Sequence, residues 1–189
     1  MRQKPFSRAK KEDDFEERVI EVARISRVVK GGRRIRFRAL VAVGNKKGRI
    51  GVGLSKANEV ADAVNKATSK ARKKMVDVPI IAGTIPYEMT SKFGAAKVIL
   101  KPASEGTSIV AGGAVRTVLE ICGIENVLAK ILGSKSKVNN VFATILALSS
   151  FNDDIVQKIR NFKPREIKPA KQDNDKISEN IKSQEEKKK

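Results

Sequence analysis

Along residues 34–38, Arg-Ile-Arg-Phe-Arg, apolar and cationic positions alternate strictly. Successive strand side chains point to opposite faces, so this period of two predicts a strand over 34–43. It sets Ile35, Phe37, Val41 and Val43 on one face and Arg34, Arg36 and Arg38 on the other. Residues 19–29 are rich in Val and Ile but mixed in period, which predicts a bent or bulged strand. Gly31-Gly32 between them reads as a hairpin turn, because glycine accepts positive φ at little steric cost. Gly44-Asn45-Lys46-Lys47-Gly48 is a loop signal. A third strand follows, with Ile50, Val52 and Leu54 on one side and Arg49, Gly51, Gly53 and Ser55 on the other. The glycine side is flat, a surface that another backbone can approach closely.

Helical spacing comes next. Ala57, Val60, Ala61, Val64, Ala67, Ala71 and Met75 recur at steps of three and four, an apolar stripe facing the sheet. Ser55 is the expected N-cap, with Glu59 in the first turn. Lys70, Arg72, Lys73 and Lys74 crowd the last turns, where the helix dipole favours cations, and Pro79 closes the region. The first segment is therefore β-β-β-α, with the helix on one face of the sheet and the other face basic.

The second segment is more apolar. Residues 84–92 and 96–101 read as strands around Gly94, and 127–132 as another. A helix runs through Val115, Val118, Leu119 and Cys122 to Gly123, and a second over 138–150 sets Val141, Ile145 and Leu148 on one face. Residues 152–189 are polar and lysine-rich, with Pro164 and Pro169, and read as a tail that starts partly helical and is otherwise disordered. The fold class is α+β: a flexible basic tail over 1–14, domains over 15–78 and 83–151, and the polar tail over 152–189. Domains this small bury only about 60% of their chain surface, so a partner is expected to support the basic half.

Charge names the kind of partner. The 189 residues carry 40 Lys+Arg against 21 Asp+Glu, a net +19. Residues 15–75 hold 17 basic and five acidic residues, most of the excess, so the charge belongs to a folded surface more than to the tails. An anionic polymer relieves such self-repulsion. The cationic residues continue from the glycine turn along a strand face: Lys30, Arg33, Arg34, Arg36 and Arg38, with Arg24 and Arg27 on the opposing strand. Gly31 and Gly32 let the tip follow a nucleic-acid backbone. Lys46, Lys47, Arg49, Gly51, Gly53 and Lys56 extend the candidate surface. The helix is committed to packing and the basic face lacks aromatics, which argues against base reading of DNA and against base stacking. Shape and phosphate recognition of structured RNA fits. A lone Lys-Gly-Gly-Arg would be a turn with solvated arginines.

Catalytic chemistry is poorly supplied. The chain has no histidine, and Cys122 is its one cysteine, so an internal disulfide and a Ser-His-Asp triad are both excluded. Cys122 lies on an apolar helical run and reads as a buried thiol. No segment is long and apolar enough to span a bilayer, and the first residues lack the apolar run of a secretory signal. A reducing, cytoplasmic setting is expected, with no membrane partner. Ser104-Glu105-Gly106-Thr107-Ser108 with Gly112-Gly113 precedes a helix whose N-terminus suits an anion. The Walker spacing with its lysine is absent, so tight packing or a macromolecular contact outranks phosphotransfer.

Together the motifs 28–33, 48–53, 55–57, 102–107, 111–114 and Arg116 resemble the bacterial small-subunit ribosomal protein five family, in order, over about 15–151. The resemblance implies a first domain similar to double-stranded-RNA-binding folds and a second similar to a domain of some small-molecule kinases. It implies a structural component of the ribosome, with no enzyme activity and no metal or other cofactor. The implied partners are small-subunit ribosomal RNA near the decoding region, mRNA at the entry channel, and small-subunit proteins four and eight. It implies a spectinomycin-sensitivity region at Ser26, Lys30, Gly31 and Gly32. It also implies an accuracy-setting interface with protein four at Ser104, Glu105, Gly106, Thr107, Ser108, Gly112, Gly113 and Arg116. Family members often carry glycine where this chain has Ser108. A free RNA-binding regulator built on the same basic sheet is the alternative reading.

Overall fold

The computed structural model describes residues 15–151 and 153–161; the 1–14 tail and most of the 152–189 tail lie outside them. Strands β1 (Glu16–Val29), β2 (Gly32–Gly44), β3 (Arg49–Ala57) and β4 (Met75–Asp77) form an antiparallel sheet in that order, with helix α1 (Val60–Lys73) between β3 and β4. A second sheet has the order β5-β6-β8-β7, from β5 (Met89–Phe93), β6 (Ala96–Pro102), β7 (Ile109–Val110) and β8 (Val127–Gly133). Helix α2 (Gly113–Cys122) links β7 to β8, which run parallel; α3 (Lys137–Ser149) and α4 (Asp153–Asn161) follow.

The expected bulge in β1 is present, as a register shift between Val19 and Glu21. The hairpin turn falls one residue earlier than the glycine pair: Lys30 and Gly31 form it, while Gly32 pairs with Val29 and takes φ 140°. The strand expected over 84–92 shrinks to β5, because Pro86 cannot donate to a ladder. The strands β4 and β7 were not expected; at three and two residues neither displays a period.

Helix α1 begins later than the Ser55 cap predicts. Ser55 is a buried residue of β3, and Glu59 occupies the N-cap position without a side-chain cap bond. The buried stripe is Ala63, Ala67 and Ala71, while Val60 and Ala61 are exposed. Gly51 and Gly53 explain the choice. A Cβ on Gly53 would collide with the Ala67 carbonyl, and one on Gly51 with that of Ala71. The flat face of β3 is therefore filled by the chain's own helix. Ala39, Val41 and Val43 of β2 complete this alanine-lined core.

The opposite face of the first sheet is only half basic. Leu40, Ala42, Ile50 and Val52 pack in one continuous cluster with Val118, Leu119 and Cys122 of α2, Val98 and Leu100 of β6, and Val141 and Leu148 of α3. Each large aliphatic side chain taken fully out of water contributes about 1.5–3 kcal/mol. The two halves thus support each other, and the marginal basic half inferred from its length gains its second layer from the same chain.

Candidate nucleic-acid interface

Beyond the reach of α1 and α2, β1 and β2 continue as a two-stranded ribbon. Its register sorts the cationic side chains. Arg27 faces Arg34, Ile25 faces Arg36 and Ala23 faces Arg38, all on the sheet face that carries Leu40 and Ala42 further along. Val28 faces Arg33 and Arg24 faces Phe37, on the other side. The sequence expectation of one basic face is thus corrected to a ribbon charged on both faces. Arg24 and Arg33 stand with Ile35 on the α1 side; Arg27, Arg34 and Arg36 stand on the side of the second domain.

The basic ribbon ends at a boundary. Arg38 lies 3.7 Å from Glu21, which also reaches Lys137 at 3.8 Å. Further out, Arg24, Arg27, Lys30, Arg33, Arg34 and Arg36 have no ion pair among the described residues. Like charges directly opposed on a ladder destabilise it. Such a ribbon carries unrelieved repulsion at its outer end, where nothing from the chain's described residues covers it. At the tip, a Cβ on Gly31 would meet no atom within 4 Å.

Other expected contact residues lie elsewhere. Gly51 and Gly53 are buried under α1 and offer nothing to a ligand. Arg49 is bound to Asp77, with Nε 2.7 Å from Oδ1, and holds that carboxyl below its usual range. Lys46 pairs with Glu16 at 2.5 Å. The loop carrying Lys46 and Lys47 is anchored on the end of α2: Lys46 N–H donates to the Ile121 carbonyl (3.1 Å) and Gly48 N–H to that of Cys122 (2.9 Å). These carbonyls are ones a helix C-terminus leaves unsatisfied. Lys47 stays exposed, and Lys56 lies on an open groove beside Asn65, Lys66, Ser69 and Lys70.

An ion-pair network joins the halves at this end. Arg18 lies 2.9 Å from Glu16 and 2.7 Å from Glu120, which also takes Arg116 at 2.8 Å. The hydrogen bond from Lys46, then that from Arg18, holds the Glu16 carboxyl below its ordinary pKa; Arg116 first, with Arg18, does the same for Glu120. Arg116 is thus tied inward as much as outward. No local pattern marks Glu16, Arg18 or Glu120, because their relation depends on how the halves dock.

The 104–108 segment is a tight turn. Thr107 N–H donates to the Ser104 carbonyl at 3.2 Å, the two side-chain hydroxyls are 3.2 Å apart, and Gly106 takes φ 88°. Ser108 sits at φ 61°, a left-handed conformation in which Cβ crowds the backbone. Its N–H donates to Asn126 Oδ1 at 3.1 Å, and its carbonyl accepts from Val127 N–H at 3.3 Å. Glu105, Gly106 and Ser108 border a hollow shared with Glu125 and Asn126. Gly112 packs on Ile131, where a Cβ would lie 2.7 Å from Cδ1, whereas Gly113 opens α2 with free space around it.

Comparisons with known proteins agree over both halves. The family model described as ribosomal protein S5, N-terminal domain, matches residues 15–79, and that described as ribosomal protein S5, C-terminal domain, matches 91–156. The small ribosomal subunit protein uS5 of Gloeobacter violaceus is 54% identical over 143 residues, covering 75% of this chain and 64% of that protein. The uS5 of Synechococcus elongatus is 50% identical over 144 residues (76% and 80%), and that of Thermotoga maritima 46% over 156 residues (82% and 88%).

Proposed function

The chain belongs to the ribosomal protein S5 family, and from that premise we propose that its arginine ribbon clamps small-subunit ribosomal RNA. As a family member it is a structural constituent of the small ribosomal subunit and not an enzyme. The observation that carries the reading is the opposed pair Arg27 and Arg34 with Arg36 beside them, without an ion pair and without cover among the described residues. Phosphates on that face relieve the repulsion, and the open Gly31 tip lets a backbone pass closely. The ribbon's aliphatic neighbours, Ile25 and Ile35, give no stacking platform, which favours recognition by phosphate position and groove shape.

The finer roles follow the family resemblance: a site near the decoding region and the mRNA entry channel, neighbours that include proteins four and eight, and an influence on accuracy. The turn at 104–108 and the start of α2 form one exposed edge, which supports a protein contact there. Ser26, Lys30, Gly31 and Gly32 lie together at the ribbon end, which supports one shared role in spectinomycin response.

Sucrose-gradient fractionation of a lysate at low and high salt separates a constituent from a free regulator. Co-migration with the small subunit through the high-salt wash is the expected result. Release at modest salt would make the protein a loosely held RNA-binding regulator.

A further inference from the structure

The second half of the chain looks nearly neutral in sequence, with seven basic and five acidic residues over 76–151. The second sheet concentrates that charge. Its inner face, with Val98, Leu100 and Val127, is buried against α2 and α3. Among the described residues no helix lies on its outer face, and register and alternation define its members. Lys92 of β5 stands opposite Lys97 of β6, which stands opposite Leu132 of β8. In the next row Thr90, Ile99 and Lys130 are neighbours, and in the third Lys101, Leu128 and Val110. Four of the seven basic residues thus share one face, and no strand residue on it is acidic. One carboxylate approaches from its edge, Glu88, 3.3 Å from Lys101.

The face also carries large aliphatic side chains. Val110 is 55% exposed, Leu128 40% and Leu132 38%, and Ile99 lies between them in half-buried position. The aliphatic groups form a bent path: Val110 beside Leu128, then across to Ile99 on β6 and back to Leu132 on β8, with Lys130 inside the bend and Lys97 and Lys101 on either side of Ile99. An apolar centre with a charged rim is the anatomy of a protein–protein contact. Phosphates alone would satisfy the lysines and leave the aliphatic path wet, and the face has no aromatic ring for a base.

We propose that this outer face docks a segment of another protein, one with aliphatic side chains along its centre and carboxylates at its edges. The inference does not depend on the RNA reading of the ribbon. The opposed Lys92–Lys97 pair, costly in isolation, is stabilised when a carboxylate comes between them. The aliphatic path supplies contact area, and the lysines set orientation and reject basic partners.

The test uses the full chain in cells, with a photo-crosslinking amino acid at Leu128 and, in a separate variant, at Arg34. The Leu128 adduct is expected to be a peptide in which carboxylates flank aliphatic residues, and its yield is expected to fall at least tenfold in a Lys97→Glu/Lys130→Glu background. Both substitutions are on exposed positions, and circular dichroism checks that the fold persists. An adduct to RNA or lipid at Leu128, no adduct, or a peptide adduct indifferent to the charge reversal would overturn the proposal. The Arg34 variant reports on RNA separately, so failure of one reading does not carry the other with it.

Discussion

Arg27 of β1 stands directly opposite Arg34 of β2, two cations sharing one face of a ribbon that no described residue covers. The arrangement costs stability in the free protein. Replacing Arg27 with Glu should therefore stabilise the isolated chain by about 0.2–1 kcal/mol, the range for cross-strand pairs, while weakening RNA binding. Urea unfolding and RNA titration of the same variant read the two effects, which should have opposite signs.

Gly53→Ala should destabilise the fold by about 1–3 kcal/mol or more, since the new methyl meets the Ala67 carbonyl of a helix already in contact. Gly31→Ala, in open space at the turn, should leave the unfolding midpoint nearly unchanged. Equal effects at both positions would contradict the packing described for α1.

Ser108 adopts φ 61° without a glycine's freedom. The left-handed region costs a non-glycine residue about 1–2 kcal/mol, and glycine returns part of that gain as unfolded-state entropy. Ser108→Gly should raise stability by roughly 0.5–1 kcal/mol, and Ser108→Val should lower it.

The Glu16, Arg18 and Glu120 network gives a pH dependence. Both carboxyls have folded-state pKa values below their ordinary 4.5. Their ion pairs therefore stabilise the fold above about pH 4.5, and that contribution is lost as pH falls through the lower folded values. Glu120→Gln should be less stable than the parent at pH 7, and the gap should close by pH 3. A gap independent of pH would mean that the network does not hold the halves together.

Burial pushes the Cys122 thiol up to about 12. Labelling by a disulfide reagent at pH 8 should be slow in the native protein and prompt in urea. This matches the buried thiol expected from its helical run.

Much of the architecture was legible in local pattern. Period two set β2, steps of three and four set α2 and α3, and Gly123 marked the end of α2 by its left-handed cap. What was illegible depended on tertiary packing. Gly51 and Gly53 read as a flat surface for a ligand's backbone because nothing local says that the backbone descending on them is that of α1. Leu40 and Ala42 sit in the same alternating register as Arg34, Arg36 and Arg38, so the strand alone could not tell where α2 begins to cover the face. Arg24 and Arg27, three residues apart on one strand, necessarily part to opposite faces, a consequence that follows from register alone. Lys92, Lys97, Lys101 and Lys130 are spread over almost 40 residues of chain, and only the sheet brings them together.

The most direct measurement is the salt dependence of binding to small-subunit RNA for the parent chain and for Arg34→Ala/Arg36→Ala/Arg38→Ala. Each phosphate contact contributes about 0.7–0.9 to the slope of log K against log salt. Since Arg38 is shared with Glu21, the slope should become shallower by roughly two units, with the unfolding midpoint not lowered. An unchanged slope would contradict the claim that the ribbon is the RNA-binding surface.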